Sequence, residues 1–239
     1  MVTLLADSGG GGTLDWSVVS AVNGLSAHLP HALDSALAYL GEYGVPLASV
    51  LLLLYAWLRA RRTADAPVGV AGVLWAGLAA GLALLMNVPV RAMVQRPRPF
   101  VDHPGQIHLL MEHQANGSFA SDHATFTMAV AIGLLLVNRR LGLIGVGLAC
   151  LEGLLRMFVG VHYPSDILGG FALAAATVLL LAPVAMAVLT QFTHALTRSS
   201  LAPLVTARTR GTRRGGPQVR AVAAGTPDTT PNGPQDLAA

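Results

Sequence analysis

Apolar residues fall into blocks at about 35–58, 66–92, 119–138, 141–159 and 165–190, and short polar stretches separate them. Each block approaches the roughly 20 residues a helix needs to cross a hydrocarbon core about 30 Å thick. The pattern predicts five membrane-spanning helices, the second long enough to tilt or to project beyond the hydrocarbon. Residues 13–30 read differently. Leu14, Val18, Val22, Leu25 and Leu29 recur about every four residues, while Ser17, Ser20, Asn23 and Ser26 mark another face. That periodicity predicts a helix lying in the membrane interface. The fold class expected is therefore an all-α membrane protein, a helical bundle of about five transmembrane helices with an amino-terminal interfacial helix.

Composition supports the membrane reading. Hydrophobic residues make up 53% of the 239 positions and charged residues only 11%, too few for the surface of a soluble domain of this size. The net charge of +3 comes from fifteen basic residues, all arginine. They cluster at block ends and in the carboxy-terminal tail, which fits membrane topology better than a nucleic-acid groove, so no nucleic-acid partner is expected. Alternating spans put Arg59, Arg61, Arg62, Arg139, Arg140, Arg198 and the tail arginines on one face, predicted cytoplasmic by the positive-inside rule. Residues 1–12 are expected to be a flexible amino terminus without a signal peptide. Residues 13–198 form the predicted transmembrane domain, and 199–239, rich in Thr, Pro, Gly and Arg, a disordered cytoplasmic tail. Cys150 is the single cysteine, so no intrachain disulfide is possible.

Arg91, Arg96, Arg98 and Arg156 lie toward the opposite, outer face, in or near three segments that carry chemistry. The first is Arg91-x6-Arg98-Pro99, leaving the second span. The second is Ser121-Asp122-His123, entering the third. The third, between the fourth and fifth spans, is Arg156-x5-His162-x3-Asp166. Arginine supplies forked donors matched to phosphate oxygens, and a serine at a helix start can complete an anion cradle. Two histidines can divide a displacement at phosphorus between attack and protonation of the leaving oxygen. An aspartate four residues beyond a histidine can hold the ring's tautomer.

These residues resemble the type-2 phosphatidic acid phosphatase superfamily, whose pattern is Lys-x6-Arg-Pro, Pro-Ser-Gly-His and Ser-Arg-x5-His-x3-Asp. Here arginine replaces the lysine at Arg91. Alanine and aspartate replace proline and glycine at Ala120 and Asp122, and leucine replaces serine at Leu155. The wording Ser118-Phe-Ala-Ser-Asp-His-Ala124 and Gly160-Val-His-Tyr-Pro-Ser-Asp-Ile-Leu-Gly169 is similar to bacterial undecaprenyl-diphosphatases of the bacitracin-resistance type. The resemblance covers roughly residues 15–190, and three motifs in order form a specific signal. It implies His162 as the nucleophile forming a phosphohistidine, Asp166 as its orienting partner and His123 as general acid. Arg91, Arg98, Ser121 and Arg156 would hold the phosphoryl group. Asp122 is repulsive to phosphate unless an arginine neutralises it.

The expected protein is thus a metal-independent lipid phosphatase with no cofactor, in a bacterial plasma membrane, multi-pass, with its active site at the outer face and its tail in the cytoplasm. The substrate expected is undecaprenyl or another polyprenyl diphosphate, cut to the monophosphate and inorganic phosphate for peptidoglycan carrier recycling. The alternatives are a glycerolipid phosphate (phosphatidic acid, phosphatidylglycerophosphate or diacylglycerol pyrophosphate) and, in another class, a non-catalytic lipid-phosphate carrier or flippase. His103, His108 and His113, five residues apart, read as solvated loop histidines and not as a metal site. Arg96 reads equally as a helix-end anchor or a phosphate contact. Glu152, one helical turn before Arg156, is expected to pair with it and aim it at the phosphoryl group.

Overall fold

The computed structural model describes residues 11–207, so residues 1–10 of the expected amino terminus and 208–239 of the expected tail lie outside the described residues. Helix α1 (Gly11–Gly24) and a 3₁₀ turn (Leu25–His28) lead into α2 (His31–Tyr39). A π-helical turn (Leu40–Gly44) joins α2 to α3 (Val45–Ala60), making one continuous helix. There follow α4 (Ala66–Val94), the short α5 (Pro99–Asp102), α6 (Asp122–Val137), α7 (Arg139–Phe158), α8 (Pro164–Leu196) and the short α9 (Ala202–Val205). The described residues are all-helical, as the hydrophobic pattern predicts.

Among the described residues four helices are long and apolar enough to cross a membrane: His31–Ala60, Ala66–Asp102, Arg139–Phe158 and Pro164–Leu196. The third predicted span, α6, has 16 residues, roughly 24 Å at 1.5 Å per residue. It packs against α4, α7 and α8, and Thr125, Met128, Ala129, Val130, Ala131 and Leu134 are all buried. A helix apolar on every side is one enclosed by other helices, so α6 is the hub of the bundle.

The bundle is built small inside and large outside. Ala76, Ala79, Ala83, Ala129, Ala131, Ala149 and Ala174 form its core, whereas Leu47, Leu51, Leu78, Leu85, Leu180, Val184 and Val188 are exposed. Hydrocarbon is as apolar as leucine, so it is close backbone approach that holds such helices together. A Cβ added to Gly133 of α6 would come within 2.5 Å of Ala76 Cα on α4.

Helix α1 and the 3₁₀ turn after it bury one side against the bundle, but not along the predicted division into an apolar and a polar face. Leu14, Val18 and Leu25 are exposed, while Val19, Asn23 and Ser26 are buried against the bundle. Asn23 donates to the carbonyls of His108 (2.9 Å) and Phe158 (2.8 Å) and accepts from the His108 N–H (2.8 Å). The buried side mixes polar and apolar residues, for Val19 packs with Met157 and Tyr163, with Trp16 and Val22 beside it, while Ser17 of the expected polar face is exposed. At the opposite end, residues 199–207 depart from the expected disorder. Val205 is buried in the core, Trp57 donates to the Leu204 carbonyl at 3.0 Å, and the Ala207 N–H bonds to the Arg61 carbonyl at 2.8 Å.

Helix ends fix where the chemistry sits. α4 stops at Gln95, which is left-handed (φ 47°), and Pro97 and Pro99 hold the preceding residues extended. α4 ends, α6 begins, α7 ends and α8 begins at one end of the bundle. The three motif segments therefore meet although they are far apart in sequence.

Candidate active site

His162 lies in the turn between α7 and α8. Gly160 makes that turn at φ +83°, and a Cβ there would lie 3.1 Å from Asn23 Nδ2, so the turn needs glycine. Pro164 starts α8, and Asp166 Oδ2 accepts from the Tyr163 N–H at 2.8 Å, capping the helix. The same oxygen is 3.6 Å from His162 Nδ1, close for charges but long for a hydrogen bond. On the other side of the ring, Arg98 NH1 is 3.3 Å from His162 Nε2. A guanidinium only donates, so Nε2 is the acceptor and the ring proton is on Nδ1, facing Asp166. Burial foremost, with Arg98 and Arg156 adding to it against Asp166, pushes the His162 pKa down to about 4. The ring is neutral at pH 7, with its Nε2 lone pair turned to Arg98 NH1.

The segment from Gln95 to Pro99 brings alternate residues to the same pair. Arg98, almost fully buried, donates through Nε and NH2 to Asn116 Oδ1 (3.1 and 2.8 Å) and through NH1 to the Val161 carbonyl (3.1 Å). Arg96 contacts Asp166 Oδ1 (3.2 Å), Asp15 Oδ2 (2.8 Å) and Ser165 Oγ (2.5 Å), with its guanidinium 4.0 Å from the Tyr163 ring centre. Its two expected roles resolve into a third: Arg96 braces Asp166 from behind. Asp15 on α1 completes that brace, accepting from both the Ser165 N–H (3.1 Å) and its hydroxyl.

Arg91 on α4 forms an ion pair with Asp122, whose other oxygen accepts from Asn87 Nδ2 at 2.7 Å. The carboxylate that would repel phosphate is thereby neutralised. Ser121 caps α6 and is fully buried, its hydroxyl accepting weakly from the Ala124 N–H at 3.5 Å. It does not line the cavity described below. His123 does, and its Nε2 is 3.3 Å from the Glu42 carbonyl.

Arg156 is fully buried at the end of α7. Its carboxylate partner is Glu42, with NH1 to Oε2 at 2.7 Å, and its NH2 is 3.3 Å from His113 Nε2. The expected pairing with Glu152 is corrected here. Neither Glu152 oxygen has a hydrogen-bond partner, although the side chain is buried. Helical spacing puts the two residues on one side of α7, but the Arg156 head turns across to the π-helical turn of the first span. The loop histidines also separate. His103 packs on Trp16, with ring centres 3.7 Å apart, and the His108 backbone bonds to Asn23. His113 joins the site, where burial first and then Arg156 lower its pKa.

Arg91, Arg98, Glu112, His113, Asn116, Asp122, His123 and His162 line a cavity of about 270 Å³. A second cavity of about 550 Å³ shares Arg91, Arg98 and Asn116 and adds the apolar walls of Val88, Ala92 and Val101. A polar chamber with two guanidiniums, two carboxylates and a neutral buried imidazole thus adjoins a cavity with a partly apolar wall. Glu42, Asn116, Asp15 and His113 were not singled out in the sequence as site residues. Only Glu42, a carboxylate inside a predicted span, carried a signal that could have found it.

The PAP2 superfamily model matches residues 72–189. Undecaprenyl-diphosphatase BcrC of Bacillus subtilis is 35% identical over 161 residues, 67% of this chain and 79% of that protein. Decaprenylphosphoryl-5-phosphoribose phosphatase of Mycobacterium tuberculosis is 42% identical over 103 residues, 43% of this chain and 55% of that protein. Among solved structures, Aquifex aeolicus LpxE superposes with a TM-score of 0.53 at 21% identity, covering 71% of this chain and 95% of that one. A PAP2-type phosphatidylglycerolphosphate phosphatase from Bacillus subtilis gives 0.51 at 22%, covering 72% and 85%. The motif spacing, the convergence of the motifs at one end of a helical bundle and these likenesses together establish that the chain belongs to the PAP2 superfamily of membrane phosphatases.

Proposed function

We propose that the protein hydrolyses undecaprenyl diphosphate, or a close polyprenyl diphosphate, to the monophosphate and inorganic phosphate through a phosphohistidine. His162 Nε2 attacks the terminal phosphorus. The bond to the bridging oxygen breaks, its electron pair stays on that oxygen, and His123 supplies the proton to the departing lipid monophosphate. His123, now neutral, takes a proton from water as the water oxygen attacks the phosphohistidine. The P–N bond breaks, its pair returns to Nε2, and inorganic phosphate leaves.

The observation that carries this reading is the placement of His162: neutral, with Nε2 turned to Arg98 and Nδ1 to Asp166. Arg98 can follow the transferring oxygens while staying anchored to Asn116, and Arg91 lies on the wall common to both cavities. Donors fixed in advance where charge develops need no reorganisation during reaction. Arg156 and Ser121 stand behind this first layer. They would reach phosphate only by exchanging Glu42 and the helix cap for it.

The guanidiniums of Arg91 and Arg98 on the chamber wall can take a diphosphate, and the adjoining apolar walls of Val88, Ala92 and Val101 suit the start of a lipid chain. The identity to BcrC supports the same substrate class. The positive-inside pattern supports an outer-face position for this end of the bundle in a bacterial plasma membrane.

The test is purified protein in detergent, with undecaprenyl diphosphate, phosphatidic acid, phosphatidylglycerophosphate, diacylglycerol pyrophosphate and decaprenylphosphoryl-5-phosphoribose as competing substrates. The expected outcome is the highest kcat/KM on the polyprenyl diphosphate, with label on His162 after rapid quench. A preference for any other member overturns the substrate, and label absent from His162 overturns the mechanism. Binding without phosphate release would leave a carrier.

A further inference from the structure

Glu42 lies upstream of residues 72–189, the part that matches the superfamily model, and within a span that carries none of the three motifs. The turn that holds it is unusual. Residues Leu40–Gly44 are π-helical, and the Val45 N–H bonds to the Leu40 carbonyl, five residues back. Such widened turns are frequent at functional sites. The sequence explains one consequence directly. Pro46 has no N–H, so the α-helical partner of the Glu42 carbonyl is missing, and that carbonyl is free to bond elsewhere. It meets His123 Nε2 at 3.3 Å. A carbonyl only accepts, so Nε2 carries the proton in this contact.

The side chain adds two further links. Glu42 Oε2 accepts from Arg156 NH1 at 2.7 Å, and Oε1 is 3.9 Å from His123 Nε2. Gly41 makes the approach possible: it is buried, and a Cβ there would stand 3.0 Å from Leu155 Cβ on α7. One residue thus meets α6 through its backbone and α7 through its carboxylate. Among the described residues no other carboxylate lies within 4 Å of charged atoms of both His123 and Arg156.

We propose that Glu42 is a positioning residue of the phosphatase, orienting the His123 ring through the hydrogen bond at its Nε2 and holding Arg156 behind the wall of the chamber. The proposal rests on the reading of His123 as general acid. The site then has one acidic partner for each histidine: Asp166 behind the nucleophile and Glu42 behind the acid. Arg156 sets a positive charge close to a ring that must itself become positive to deliver a proton. The Glu42 carboxylate between them offsets that repulsion, and its carbonyl orients the ring.

Leaving-group dependence separates this from a structural role. A general acid matters most where the departing oxygen is most basic. The probes are 4-nitrophenyl phosphate, whose phenolate departs readily, and phenyl phosphate, whose phenolate needs the proton. In E42Q, kcat/KM should fall about tenfold further on phenyl phosphate than on 4-nitrophenyl phosphate, a part of the 10²–10⁴ that general acids typically supply. H123Q should discriminate in the same direction and more strongly. E42D keeps the charge but withdraws it by one methylene, and should discriminate less than E42Q. It carries the same readout if E42Q does not fold. Discrimination in H123Q but equal losses on both substrates in the Glu42 variants overturn the role of Glu42 alone. Equal losses in H123Q overturn the acid assignment, and the proposal with it.

Discussion

Acidification should destabilise this protein through His162. The ring is almost fully buried. Its charged neighbours are the Arg98 and Arg156 cations and, against them, Asp166, and its pKa falls from 6.5 to about 4. The folded value lies below the unfolded one. Between these two pH values the unfolded chain binds a proton that the native chain does not, so stability rises with pH across that window. The contribution is complete above about pH 6.5 and is progressively lost on acidification to about 4. At about 1.4 kcal/mol per pH unit, the interval of roughly 2.5 units corresponds to about 3 kcal/mol. For a chain of this length that is roughly 6–12 °C in Tm. The assay is thermal unfolding in detergent, followed by tryptophan fluorescence from pH 7 to pH 4, on wild type and His162→Gln. Other groups titrate in both proteins and cancel in the difference. Wild type should lose about 3 kcal/mol more than the variant over the range. Parallel curves would refute the argument, because they would mean that His162 takes up its proton as readily in the folded state as in the unfolded one.

The arginines should divide by geometry. Arg98→Lys keeps one charge but cannot reach Asn116, the Val161 carbonyl and His162 together, and an uncovered buried acceptor costs about 1–3 kcal/mol, so kcat/KM should fall about 10²-fold. Arg91→Lys needs only one nitrogen to meet Asp122 in a partly exposed pair worth at most about 1 kcal/mol, and activity should stay within about fivefold; equal damage from the two would refute the division. Glu152→Gln alters a side chain with no hydrogen-bond partner, so kcat should fall less than in Glu42→Gln; the reverse order would restore Glu152 as the partner of Arg156. Cysteine at the exposed Gln106, in a chain with Cys150 replaced, should react with an impermeant thiol reagent from outside cells, and cysteine at Ala64 should not; reversed labelling would move the chamber to the cytoplasmic face.

The fold was legible because membrane helices announce themselves by length and apolarity, and the expected blocks coincide with the helices to within a few residues. What the pattern could not separate was a helix that faces lipid from one enclosed by protein. Both are apolar all round, and α6 read as an ordinary span. The small-residue core was visible as frequent Gly and Ala, but which helices those residues brought together was not. The segment 199–207 read as coil because a single buried Val205 and two backbone bonds leave no periodic trace.

In the site, residues bound by short spacing were readable and residues bound by distance were not. His162 and Asp166 sit four apart across a helix start, and Arg98 follows a fixed interval after Arg91, so local geometry places each pair. Glu152 and Arg156 obey the same spacing, and there the inference misled. Spacing puts two side chains on one face of a helix, but it does not decide which partner a long guanidinium takes when another helix presents a better-placed carboxylate. Glu42 wins because Gly41 lets the first span approach α7 and because the widened turn before Pro46 aims its groups at α6 and α7 together. Asn116 and Asp15 have the same character: each is an ordinary polar residue in a loop or on a surface helix until the fold brings it to Arg98 or Arg96. The motif arginines and histidines can thus be found from their own segments. The groups that fix their direction come from α1, the first span and the loop before α6. A change of substrate within this architecture could therefore be made in those elements while every motif residue stays in place.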